Sequence, residues 1–211
     1  ETEAQKRYFQ LAETVSRKRR EAAKELSDMV TSIMEDLHMS GGRFSIEVSV
    51  GAPHAYGVDQ VEFLVAGHAG TTLRPLAKVA SGGELARISL AISVIASKAT
   101  ATPTLIFDEV DAGVSGRAAQ KVAYKLWTVS QGRQVLCVTH LPQIAAMADA
   151  EFTVEKRVEH ERTYTSVLHL DDSGRRQELA RLIGGSMITE TTLAGAAELL
   201  RLADETKGEH T

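Results

Sequence analysis

The 211 residues are 43% hydrophobic and 25% charged, enough apolar material for the core of one ordinary domain. A formal net charge of −4 excludes a global pull toward nucleic acid or anionic membrane and leaves only local basic patches for such contacts. The single cysteine, Cys137, excludes an intrachain disulfide framework and suits a reducing compartment, and no run of 18 apolar residues is present to span a membrane.

The chain opens on Glu1, without methionine or a signal-like stretch, and so reads as an excised fragment. Residues 1–40 predict a long helix. Val15, Ala22, Leu26, Met29, Ile33 and Leu37 are spaced by sevens, fours and threes, which draws one apolar seam among charged residues. So thin a stripe predicts a coiled-coil strand whose partner lies elsewhere, with an ordinary surface helix as the alternative. Gly41-Gly42 is expected to stop it. Arg17-Lys18-Arg19-Arg20 is a basic run on this helix. It reads either as a solvated face or as a contact to a nucleic-acid backbone.

Phe44, Ile46, Val48 and Val50 alternate with polar residues, predicting a half-buried strand, with 58–65 as its antiparallel partner. Beyond the 67–76 loop the pattern becomes helix (82–99), strand (104–108), helix (116–130), strand (134–139) and helix (142–148). Short apolar strands alternating with helices predict a parallel α/β core. Strand-like runs near 151–157 and 163–170 follow, then helices near 175–183 and 190–205.

Three motifs carry chemistry. Ser81 and Glu84 fit a capping box at the start of a helix. That leaves Gly82-Gly83 unexplained, since two glycines in a first turn cost helix stability. They make sense where bare backbone N–H groups meet a phosphate at the positive helix end. Leu105-Ile106-Phe107 then delivers Asp108 and Glu109 to a strand end, where open α/β sheets bind ligands. There Asp108 is expected to hold Mg²⁺ through water and Glu109 to take a proton from an attacking water. His140 ends the strand Val135–Thr139, is expected beside the Asp108 strand, and would meet a γ-phosphate or orient the water. Cys137 reads as a small buried hydrophobe. No phosphate loop of the form G-x-x-x-x-G-K-[ST] occurs in the sequence, so the nucleotide cradle is missing.

Ala80-Ser81-Gly82-Gly83-Glu84 resembles the signature motif of ABC-type ATPases, Thr104–Glu109 their Walker B strand, and His140 their switch histidine. The wider text, Leu76–Ile88, Asp108–Gly116 and Thr139–Ala145, is similar to the SMC-like ATPases of bacterial DNA repair, whose head is split by a coiled coil. The resemblance is strong over 76–149. It implies an α/β fold: the C-terminal lobe of an ABC/SMC-type head, with a mainly parallel core sheet and a coiled-coil helix stub. Residues 1–40 would be the end of the returning helix, 41–206 the lobe, and 207–211 a flexible tail. It also implies ATP and Mg²⁺ as cofactors, with Ser81, Gly82, Gly83, Glu84, Asp111 and Ser115 contacting nucleotide. Ser115 departs from the aspartate that many such heads carry in the loop after Walker B.

The implied partners are the N-terminal head lobe that bears Walker A, a second head in a homodimer, and DNA, at double-stranded ends. The implied setting is the bacterial cytoplasm at the nucleoid. Two other functions fit the same motifs: a transporter's nucleotide-binding subunit, and a head fragment that clamps a partner without hydrolysis.

Overall fold

The computed structural model describes residues 2–78, 81–96, 102–159 and 162–209. It contains six α-helices and seven strands in three small sheets among those residues. Helix α1 runs Thr2–Asp36, about 50 Å at 1.5 Å per residue. It ends before Gly41-Gly42. His38 takes the left-handed conformation (φ 61°) and turns the chain, while Leu37 and Met39 pass into the core.

The expected seam is displaced by one position. The line that α1 buries is Ala12, Ser16, Ala23, Val30 and Met34. Its upper residues are small, so the helix settles closely onto a sheet. Of the expected seam, Leu37 is buried, Leu26 and Ile33 pack partly on the core, and Val15 and Met29 stay exposed.

That sheet is β1 (Arg43–His54) antiparallel to β2 (Gly57–Ala66), with the short β3 (Arg74–Pro75) on the far side of β2. Register runs from Arg43↔Ala66 to Val50↔Asp59. β1 is an edge, and α1 covers it: Ser27 Oγ accepts from Ile46 N at 3.0 Å, and Thr31 Oγ1 from Phe44 N at 3.0 Å. Two hydroxyls four residues apart thus pair strand N–H groups that would otherwise be orphaned.

Higher on α1 a polar clasp holds the hairpin turn. Ser16 Oγ donates to Asp59 Oδ1 at 2.6 Å and Arg19 Nη1 to Asp59 Oδ2 at 2.9 Å. Tyr8 OH donates to the carbonyls of His54 and Gly57. The Ser16 hydroxyl first, and then the Arg19 guanidinium, hold the Asp59 carboxyl below its usual range. A depressed carboxylate pKa contributes stability above the unfolded value, near 4, and that stability fades as pH falls through the lower folded value. Asp59→Asn should therefore lower the thermal midpoint by several degrees at neutral pH, with the gap to wild type closing below about pH 4. Circular dichroism melts across pH check this; a gap that stays constant into acid contradicts it.

The core joins α1 and this sheet to α2 (Gly82–Ala96), β4 (Thr104–Phe107), α3 (Gly116–Ser130), β5 (Gln134–Cys137) and α4 (Pro142–Ala146). The end of the expected second helix, 97–99, lies outside the described residues. β4 and β5 are parallel, from Thr104↔Gln134 to Phe107↔Cys137. They are the one parallel pair among the described strands. The last sheet is the antiparallel hairpin β6 (Phe152–Glu159) and β7 (Arg162–His169).

Helices α5 (Asp172–Gly184) and α6 (Glu190–Gly208) close a small alanine-rich cluster with α4. α6 extends into the expected tail, because Lys207 Nζ pairs with Asp149 Oδ1 at 2.7 Å and anchors the last turn. Of that tail, residues 210–211 lie outside the described residues.

Candidate nucleotide-facing edge

Parallel pairing of β4 and β5 brings their C-terminal ends side by side. β4 releases Asp108 and Glu109; β5 leads through Val138 and Thr139 to His140. Both carboxylate residues are exposed. Asp108 Oδ1 accepts from Glu109 N at 2.9 Å. Glu109 has φ 56°, a left-handed backbone rarely adopted by a non-glycine residue, and it turns the chain sharply at the strand end.

The N-terminus of α2 abuts this turn. Ser81 Oγ accepts from Glu84 N at 3.3 Å, one half of the expected capping box. The Glu84 carboxylate pairs instead with His68 Nε2 at 3.2 Å. A Cβ on Gly83 would lie 2.7 Å from Ala112 Cβ, and one on Gly82 would lie 2.3 Å from Glu109 Oε2. The close fit of the 109–112 loop thus demands Gly83 whatever else meets the helix. Gly82 faces only the movable tip of Glu109, so its bareness keeps that end of the helix open. Arg87, buried on α2, braces the fit by donating from Nη1 to the Ala112 carbonyl at 2.7 Å. Burial pulls its guanidinium below the ordinary range.

Asp111 turns inward rather than toward the open edge. It is 4% exposed, and its Oδ2 accepts from Thr139 Oγ1 at 2.6 Å and from His140 N at 3.1 Å, with His140 Nδ1 also 3.1 Å away. The His140 ring is otherwise in the open, its side chain 72% exposed. Ser115 precedes α3 at its N-cap, is exposed, and makes no side-chain cap hydrogen bond. Cys137, expected to be buried, is only half-buried and packs against the edge of the core. Burial first, then the charges of Asp111 and Asp108, push its thiol up to about 12, well away from reactivity.

The structure therefore gathers Ser81, Gly82, Gly83, Asp108, Glu109 and His140 at one edge, with Asp111 beneath. Arg87 and Thr139 were not singled out by motif. The signals were present: a lone arginine within an apolar helix, and a hydroxyl at the end of an apolar strand.

The donor set suits a hard cation. Exposed Asp108 and Glu109 offer oxygen ligands, yet no group of three or more His, Cys, Asp or Glu able to hold a metal occurs among the described residues. Mg²⁺ is usually held by one or two carboxylates, with water and substrate phosphates supplying the rest.

No protein-family model matches the chain. It is 48% identical over 191 residues to the DNA repair protein RecN of Vibrio cholerae serotype O1, covering 90% of this chain and 34% of that protein. It is 42% identical over 212 residues to RecN of Bacillus subtilis, covering 93% and 37%. The chain thus spans about a third of the length of the curated relatives it matches. Among solved structures, the Smc head domain with a coiled coil and joint from Pyrococcus yayanosii superposes with a TM-score of 0.56 at 20% identity, over 77% of this chain and 29% of that one. A second SMC ATPase structure gives 0.50 at 21% identity, over 82% and 99%. At such identities these structures speak for the fold alone. Over nine-tenths of its length the chain is similar in sequence to RecN proteins, and its fold is that of the C-terminal lobe of an SMC-type head preceded by a long helix.

Proposed function

We propose that this lobe is half of an ATP-hydrolysing head acting in DNA double-strand break repair. One observation carries the reading: β4 and β5 pair in parallel and bring Asp108, Glu109 and His140 to one edge, beside the Ser81-Gly82-Gly83 helix start. ATP and Mg²⁺, when bound, supply the phosphoryl group and the charge that polarises it. Asp108 would hold the cation through water. Glu109 accepts the proton of the attacking water, and its left-handed backbone throws that carboxylate clear of the strand. His140 orients the water or the γ-phosphate. Ser81, Gly82 and Gly83 offer a hydroxyl and backbone N–H groups to the nucleotide of a second head, with Ser115 nearby on the loop that joins the two sites. Glu84, whose carboxylate is drawn to His68, is the outermost of the proposed nucleotide contacts.

The N-terminal lobe supplies Walker A. Support comes from the bare outer face of β4–β5, where Ile106 and Val138 are 70% and 64% exposed, and from the length of the relatives. The stripe of Leu11, Val15 and Met29 is the seam for the outgoing coil. DNA, at double-stranded ends, is the proposed substrate of the assembled cytoplasmic machine. Arg17, Lys18 and Arg20 are exposed and free to meet it, whereas Arg19 is drawn to Asp59. The clasped α1 disfavours a transporter subunit, and no helix among the described residues is long and apolar enough to cross a membrane.

The test is calorimetric titration with Mg-ATP. This chain alone should bind weakly, because no lysine-bearing phosphate loop cradles the phosphates. Joined to its N-terminal lobe, it should bind and hydrolyse ATP. Submicromolar affinity of the chain alone contradicts the split-site reading.

A further inference from the structure

We propose that Asp111 is a positioning residue that fixes the direction and the tautomer of His140, rather than a nucleotide contact. Asp111 lies at the base of the loop after β4, is 4% exposed, and has the end of β5 wrapped around one of its oxygens. Thr139 Oγ1 and His140 N donate to Oδ2, and His140 Nδ1 faces the same atom at 3.1 Å. Thr139 Oγ1 accepts from Leu141 N at 3.0 Å, so its hydroxyl proton is free to go to Asp111.

An oxygen surrounded by donors is an acceptor, and a carboxylate 3.1 Å from Nδ1 favours the tautomer with the proton on Nδ1. The ring is thereby anchored at one nitrogen. With the side chain 72% exposed, Nε2 is the nitrogen left for the open edge. In its neutral form His140 then presents a lone pair there, suited to a water proton; it presents an N–H to phosphate only when doubly protonated. Asp111 spans the two strand ends across 28 and 29 residues of sequence, so it also locks the β4 loop to the β5 loop.

The inference rests on the proposed role of His140, and the experiment separates the two. ATP turnover and ATP affinity are measured in the complete protein for Asp111→Asn, His140→Gln and the double variant. Partners that orient a functional histidine typically contribute about 10–100-fold to activity. Asp111→Asn should cut turnover by that factor, leave ATP affinity within about threefold, and add nothing in the His140→Gln background. Thr139→Val, which keeps the charge and removes one clamp, should give a smaller loss that the His140→Gln background also masks, and it serves if Asp111→Asn fails to fold. A tenfold loss of ATP affinity with Asp111→Asn, or a full loss added on top of His140→Gln, overturns the positioning role. An unchanged His140→Gln rate overturns the role of His140 itself, and this inference with it.

Discussion

Glu109→Gln should slow ATP hydrolysis by the complete protein by roughly 10²–10⁴-fold, the usual contribution of a positioned general base. The amide keeps the shape of the side chain and cannot accept the water's proton. Asp108 is untouched, and its link to the Glu109 backbone N–H at 2.9 Å does not involve the altered group. Nucleotide and cation binding should therefore survive, and ATP-bound dimers should accumulate. The fold should hold as well, because the Glu109 side chain is exposed and gives no hydrogen bond among the described residues that the amide would lose. Single-turnover kinetics against binding measurements check the split. Turnover within about threefold of wild type would remove Glu109 from the role of base.

The site was legible as linear text because its parts are local: a helix start, a strand end with two acids, a strand end with histidine. α3 begins and ends at Gly116 and Ser130 as its apolar spacing predicts, with Ala119, Val122, Ala123, Leu126 and Val129 inward. What the sequence hid depends on contacts between distant segments. The buried stripe of α1 runs through Ala12, Ser16 and Ala23, too small or too polar to draw attention, yet small size is what lets the helix lie on β1–β2. The helix stops at Asp36 because Leu37 and Met39 are needed in the core, and His38 accepts a conformation that glycine usually supplies.

Gly83 looked like half of a phosphate motif; Ala112 also forbids it a side chain, through a loop 29 residues away. Asp111 looked like one more acid in a nucleotide loop. Only the parallel register of β4 and β5 shows that its carboxylate is spent on Thr139 and His140. The bare faces were hidden too. Ile106 and Val138 read as core from their strands, and they stand exposed where the proposed N-terminal lobe would sit.

In the proposed assembly the Ser81 helix start completes a site on another head. Ser81→Arg places a long cationic side chain where the second head's γ-phosphate must dock. Locally little is at stake: Ser81 is exposed, its hydroxyl accepts one hydrogen bond at 3.3 Å, and such a cap contributes about 1 kcal/mol. ATP binding by the protein's own Walker A lobe should persist, while hydrolysis should fall to background. The most direct measurement is light scattering of the complete protein carrying Glu109→Gln, with ATP, with and without Ser81→Arg. The base variant alone should give the mass of an ATP-trapped dimer, and adding Ser81→Arg should return it to the monomer. A Ser81→Arg protein that still dimerises with ATP would contradict the composite site.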